Sequence, residues 1–167
     1  MNNILYNFSV FVDGRGFIGK GSEVTLPKLT PKLQEYYAGG MSAPVDIPMN
    51  AHEKLEAEIT LKGYDPEVLK LFSVTTGKIT PFTVRGGLTD QDGAQHNMVI
   101  KMRGMVKEMD FGSWKPGDEA PLKLSLTLNY YKLEQGGQTL IEADPINMVM
   151  LVDGVDQLAA TRKALGV

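Results

Sequence analysis

Three stretches of this chain alternate apolar and polar residues with a period of two. Tyr6, Phe8, Val10 and Val12 alternate with Asn7, Ser9 and Phe11. Leu55, Ala57, Ile59 and Leu61 alternate with Lys54, Glu56, Glu58 and Thr60. Leu122, Leu124, Leu126, Leu128 and Tyr130 alternate with Lys123, Ser125, Thr127 and Asn129. Successive side chains of extended backbone point to opposite faces. Each pattern therefore predicts a strand with one face in a core and the other toward water or a partner. Weaker strand patterns cover Glu23–Tyr37, Thr80–Leu88, Asn97–Lys107 and Thr139–Met150. Pro27 and Pro31 lie in the first of these and predict an edge, a bulge or an irregular stretch there, because proline cannot donate to a ladder.

Turn residues separate the runs: Asp13-Gly14, Asp92-Gly93, Pro116-Gly117-Asp118 and Gly136-Gly137. The last pair, between two extended runs, predicts a hairpin tip. Two short helices interrupt the strands. Asp65-Pro66-Glu67 has the chemistry of a helix start, with an apolar stripe of Val68, Leu69 and Phe72 and Gly77 beyond its end. A second helix is predicted from about Val155 to Leu165, with Val155, Leu158, Ala159 and Leu165 on one face. Arg162 and Lys163 fall in its last turn and Gly166 follows as a stop.

The segment Ala38–Ala51 fits neither period. It opens on Gly39 and Gly40, contains Pro44 and Pro48, and still carries Met41, Val45, Ile47 and Met49. Long loops in compact domains are usually functional, and this one has apolar side chains to bury somewhere.

Composition narrows the function classes. A length of 167 residues suits one domain, residues 1–167, with one substantial core. A net charge of -3 argues against a protein that grips nucleic acid through a basic face, though not against a surface that DNA slides past. The absence of cysteine excludes disulfides, thiol catalysis and thiolate metal sites. Met1 to Val12 lacks the basic and apolar regions of a signal peptide, and no run reaches the roughly 18 apolar residues of a membrane span.

No motif assembles a catalytic or cofactor site. Gly14-Arg15-Gly16-Phe17-Ile18-Gly19 matches a dinucleotide fingerprint, but a strand-like stretch follows where a helix would have to open, so a turn is expected. Asp90-Gln91-Asp92-Gly93 lacks the later ligands of a calcium loop and reads as a hairpin tip. His52 and His96 stand outside any metal-ligand spacing, and Glu56 and Glu58 read as a solvated strand face. Trp114 is expected to anchor local packing. The residues thus predict a mostly β, turn-rich domain with no cofactor and no metal, suited to assembly or binding.

The ordered text goes further. Thr25–Leu29 (TLPKL), Lys32–Asp46 (KLQEYYAGGMSAPVD), Arg103-Gly104 with Val106–Glu108, and Gly112–Gly117 (GSWKPG) are followed by Tyr130–Glu134 (YYKLE), Asp144–Asn147 (DPIN) and Gly154–Leu158 (GVDQL). In this order, over nearly the whole chain, they resemble the major tail tube protein family of contractile-tailed bacteriophages and R-type pyocins. The resemblance implies a β-sandwich or barrel-like subunit with one flanking helix and a short C-terminal helix. It implies a structural role: six copies close into a ring, and rings stack into a hollow tube that sheath contraction drives through a bacterial envelope. Implied partners are other copies of the chain, the tail sheath protein, and baseplate and tail terminator proteins. DNA would pass through the lumen without specific binding. The implied location is the virion tail, assembled in the bacterial host cytoplasm. On this reading Gly39, Gly40, Met41, Val45, Ile47 and Met49 form an inter-ring loop, and Lys54, Glu56, Glu58 and Thr60 are a candidate lumen face. Rival readings are the tube protein of a related contractile secretion or injection system, a carbohydrate-binding β-sandwich, and an enzyme.

Overall fold

The structure is a computed structural model and describes residues 1–16 and 20–167. The first alternating run forms β1 (Ile4–Val12). Asp13 and Gly14, both at positive φ, turn it into the short β2 (Arg15–Gly16), as a two-residue hairpin requires. That settles the first half of the glycine motif as a turn; Phe17, Ile18 and Gly19 lie outside the described residues. The proline-bearing run divides into β3 (Gly21–Thr25) and β4 (Pro31–Tyr36), with Pro27 in the break between them.

The remaining strands are β5 (Val45–His52), β6 (Leu55–Leu61), β7 (Thr80–Thr89), β8 (Gln95–Asp110), β9 (Leu122–Gln135), β10 (Gln138–Asp144), β11 (Val149–Val152) and β12 (Val155–Asp156). The helices are α1 (Pro66–Leu69) and α2 (Ala159–Leu165). Among the described residues, ten strands form one antiparallel sheet, while β4 and β5 pair only with each other. The fold is mainly β, with a flanking helical turn and a short C-terminal helix, as expected.

The long strands β8 and β9 organise the sheet. β7 pairs with the first part of β8, from Gln95 to Gly104, and β1 continues beyond β7. The first half of β9 takes β6 as its outer neighbour, and β3 follows β6. The second half of β9 takes β10 on that same side, followed by β11 and β12. Two half-sheets therefore share β8 and β9, and they fold toward each other. The position of a Cβ on Gly21 of β3 would lie 3.2 Å from Val10 Cγ2 of β1. One core fills the space between, built from Val10, Val12, Leu55, Ile59, Leu61, Phe82, Met102, Leu122, Leu124 and Leu126 among others. Each such side chain contributes on the order of 2 kcal/mol by leaving water.

Four predictions from periodicity need correction. The run Thr139–Met150 is not one strand but β10 and the start of β11, folded back on each other across a turn at residues 145–148. Leu122, Leu124, Leu126 and Leu128 are buried as expected, but Tyr131 is buried and Tyr130 only partly so. The register slips between Arg103 and Gly104: Arg103 pairs with Tyr130 and Gly104 with Leu128, leaving Asn129 as an extra residue. A bulge of this kind reverses the phase of every later side chain. Helix α1 is a single turn capped by the Asp65 side chain; it buries Val68 but leaves Phe72 exposed beyond its end. Val155 belongs to β12, paired with Val152 across an Asp153-Gly154 turn, so α2 starts at Ala159. No α2 side chain is fully buried, and Val155 and Leu165 are exposed. Gly166 caps α2 in the left-handed conformation, as the sequence predicts.

Candidate functional site: the assembly surfaces

The segment expected as an irregular loop is half strand. Its second part is β5, in which Val45, Ile47 and Met49 alternate with Asp46, Pro48 and Asn50. Tyr36 pairs with Val45 and Gln34 with Ile47, so these share one face; Leu33 with Pro48 and Glu35 with Asp46 share the other. Every residue of β4 and all of β5 but His52 are exposed. Gly39 lies in the exposed tip, Gly40 turns it at φ 87°, and the half-buried Met41 closes a turn onto the Ala38 carbonyl. The hairpin is an arm: fixed at its root, where Glu53 N–H donates to the Thr30 carbonyl, and unpaired along both sides among the described residues. Leu29, Pro31, Pro48, Met150 and Leu158 line a hollow at the root.

The arm interrupts a four-stranded half-sheet in the order β3, β6, β9 and the last part of β8. Its non-core face carries cross-strand rows. One row is Glu23, Thr60, Lys123 and Asp110; the next is Thr25, Glu58, Ser125 and Glu108; a third contains Glu56, Thr127 and Met105. The carboxylates are partnered. Lys107 donates to Glu56 Oε1 at 2.7 Å, with Lys54 3.3 Å from the same oxygen, and Lys123 lies 3.4 Å from Glu58. The Lys107 bond is the main reason the Glu56 carboxyl titrates below its usual range. The face still holds five carboxylates (Glu23, Glu56, Glu58, Glu108, Asp110) against Lys54, Lys107 and Lys123. Sequence alternation found the β6 part of this face. It missed the contribution of β8, because a second register slip between Val106 and Glu108 breaks the period there.

Both outer edges of this half-sheet are open among the described residues. β3 pairs only with β6, and β8 beyond Gly104 pairs only with β9. Unpaired edges of this kind accept another strand.

At the end of the half-sheet opposite the arm, Tyr64 stacks obliquely against Phe111 and Trp114, at ring separations of 5.9 and 5.8 Å. Trp114 Nε1–H donates to the Tyr64 hydroxyl, which itself donates to the Phe111 carbonyl. Trp114 is held in place yet 73% exposed, so it is less a packing anchor than expected. The histidines are local: His52 Nδ1 contacts the Glu53 carbonyl, and His96 Nε2 lies 2.7 Å from Asp90. Asp90 also accepts the Asn3 N–H, so the Asp90–Gly93 tip clips the N-terminus to the β7–β8 hairpin. No group of three or more potential metal ligands occurs among the described residues.

The chain matches the family described as phage tail tube protein FII over residues 2–166. It belongs to that family. It is 36% identical to the tail tube protein of Escherichia phage P2 over 162 residues, 95% of this chain and 94% of the relative. It is 32% identical to the major tail tube protein of Serratia phage KSP20, over 88% of this chain and 85% of the relative. A chain of the cryo-EM sheath–tube complex of an extracellular contractile injection system, PVC, in the extended state shares the fold. Its TM-score is 0.59 at 14% identity, covering 77% of this chain and 88% of that one. A chain of the sheath/tube terminator of the same system gives 0.58 at 13% identity, over 77% and 94%. This family member is a tail tube protein, a structural component of a phage or phage-like tail.

Proposed function

We propose that this tail tube protein is the repeating subunit of the inner tube of a contractile tail, closing as a hexameric ring through the β3–β6–β9–β8 half-sheet. The open edges of that half-sheet carry the reading. An edge strand on each side, β3 and the end of β8, lets one copy add to the next in the same orientation. Heterologous contacts that close give a ring, and repetition along the axis gives a tube. Six half-sheets of four strands would line one channel with the Glu56, Glu58 and Thr60 face.

That face is net acidic. DNA passing along it would meet like charge at distances comparable to the screening length of about 8 Å, which opposes sticking. The exposed arm, with Met41 at its tip and Val45, Ile47 and Met49 along β5, would supply the ring-to-ring contact. The outer half-sheet and α2 would face the sheath. The subunit's work is mechanical, for genome delivery or membrane puncture, with assembly in the host cytoplasm and with baseplate and terminator proteins at the tube ends. The role in a contractile injection system is the nearest alternative, favoured by the shared fold.

Electron microscopy of assembled protein tests the reading. Six-fold rings joined between β3 and β8 support it. Rings joined elsewhere, with Glu56 and Glu58 outside the channel, would contradict it.

A further inference from the structure

The arm and the Tyr64–Phe111–Trp114 cluster lie at opposite ends of one half-sheet. β3 runs into the arm after Thr25, and β6 leaves it at Leu55. At the other end, Leu61 leads to Tyr64, and Asp110 leads through the Phe111–Pro121 connection to Leu122. We infer that the Trp114 cluster is the receptor for the arm of a second copy of this chain in the adjacent ring. The inference rests on the arm being the ring-to-ring contact, as proposed above.

A tube of identical subunits stacks head to tail, so whatever projects from one end of a subunit must meet the other end of the next. The arm's strands of six and eight residues reach roughly 20–26 Å at about 3.3 Å per residue, about the length of the seven-residue strand β6. The arm offers Tyr36, Val45 and Ile47 on one face. The opposite end offers an indole that is oriented by its hydrogen bond to Tyr64 and otherwise exposed. Tryptophan is among the residues enriched at the energetic centres of interfaces, where a partner removes it from water.

Glu35 and Asp46 face each other directly across the arm, an arrangement that costs stability unless a cation lies nearby. Tyr64 borders two hollows, one that holds Lys115 with Asp118 and one that holds Lys20 and Lys62 with Asp65.

The test uses the full chain. Trp114→Ala should fold, as read by circular dichroism, and form rings, while the concentration needed for tubes rises at least about tenfold, the scale of a lost interface anchor. The chain has no cysteine, so an Asp46→Cys, Lys115→Cys double variant reports the contact independently. Oxidised tubes should run as covalent multimers on denaturing gels, and unassembled protein should not. Assembled tubes without cross-links, or a folded Trp114→Ala chain with unchanged polymerisation, overturn the inference. If Val45→Ser, Ile47→Ser chains still fail to polymerise in that case, the arm reading survives and only its receptor is wrong. If they polymerise normally, both fall.

Discussion

Gly104 lies so close to Thr127 that a Cβ at position 104 would stand 2.1 Å from the Thr127 carbonyl oxygen and 2.8 Å from Leu128 Cα. This contact sits at the bulge where the two half-sheets diverge. The close approach of β8 to β9 falls next to the point where β9 exchanges β6 for β10 as its outer neighbour. Gly104→Ala therefore cannot be absorbed by rotating a side chain, since both obstructions are backbone. A loss of about 3 kcal/mol or more is expected, at the upper end for overpacking. Chemical denaturation of unassembled protein checks it. A loss below about 1 kcal/mol would show that the strands can separate cheaply.

Arg162 ties the C-terminal helix to the sheet. Arg162 bonds the Asp156 carboxylate and donates to the Met148 carbonyl at 2.6 Å, while α2 buries no side chain fully. The Arg162 hydrogen bond holds the Asp156 carboxyl below its ordinary 3.8. A depressed carboxylate contributes stability that is complete above the unfolded pKa and lost as pH falls through the folded one. Arg162→Met should therefore increase amide exchange in α2 at neutral pH. The difference from the parent should persist down to about pH 4 and shrink only below 3.8. A difference that vanished between pH 5 and 7 would point to another group.

Tyr130 behaves in the opposite sense. Burial, and then its hydrogen bond to Glu142 at 2.8 Å, raise its hydroxyl from 10.0 to about 12. A raised folded pKa means that the contribution is present below 10.0 and is lost as pH rises toward 12. Tyr130→Phe should flatten the alkaline loss of stability over that window, as measured by denaturation at stepped pH. An unchanged slope would place the alkaline sensitivity elsewhere.

Replacing Met41, Val45 and Ile47 together with Ser or Asp should leave a folded subunit that fails to polymerise. The arm contributes little to the core, so thermal unfolding should move by no more than a few degrees while sedimentation shows no tubes. Full-length tubes from this variant would exclude the arm from ring stacking.

The strands with regular alternation were legible in the sequence because one face meets the core at every second residue. Leu55–Leu61 shows this without a break. Where a bulge intervenes, the period fails, so Tyr131 rather than Tyr130 became the buried partner and Glu108 and Asp110 were missed on the acidic face. The arm was legible as unusual, since Val45, Ile47 and Met49 sit among prolines and glycines, but not as a hairpin. Its alternation marks no core, because both faces of the arm are exposed. The Tyr64–Trp114 pairing spans fifty positions and carries no local signal. Only the family resemblance linked these surfaces to a tube.

Cryo-electron microscopy of the concentrated protein would show directly which half-sheet lines the channel. Hollow tubes of six-fold rings are expected, in which β3 of one copy lies beside the end of β8 in the next, with Glu56 and Glu58 facing the channel. Persistent monomers, or tubes whose channel is lined by the β1–β7–β8 half-sheet instead, would contradict that arrangement.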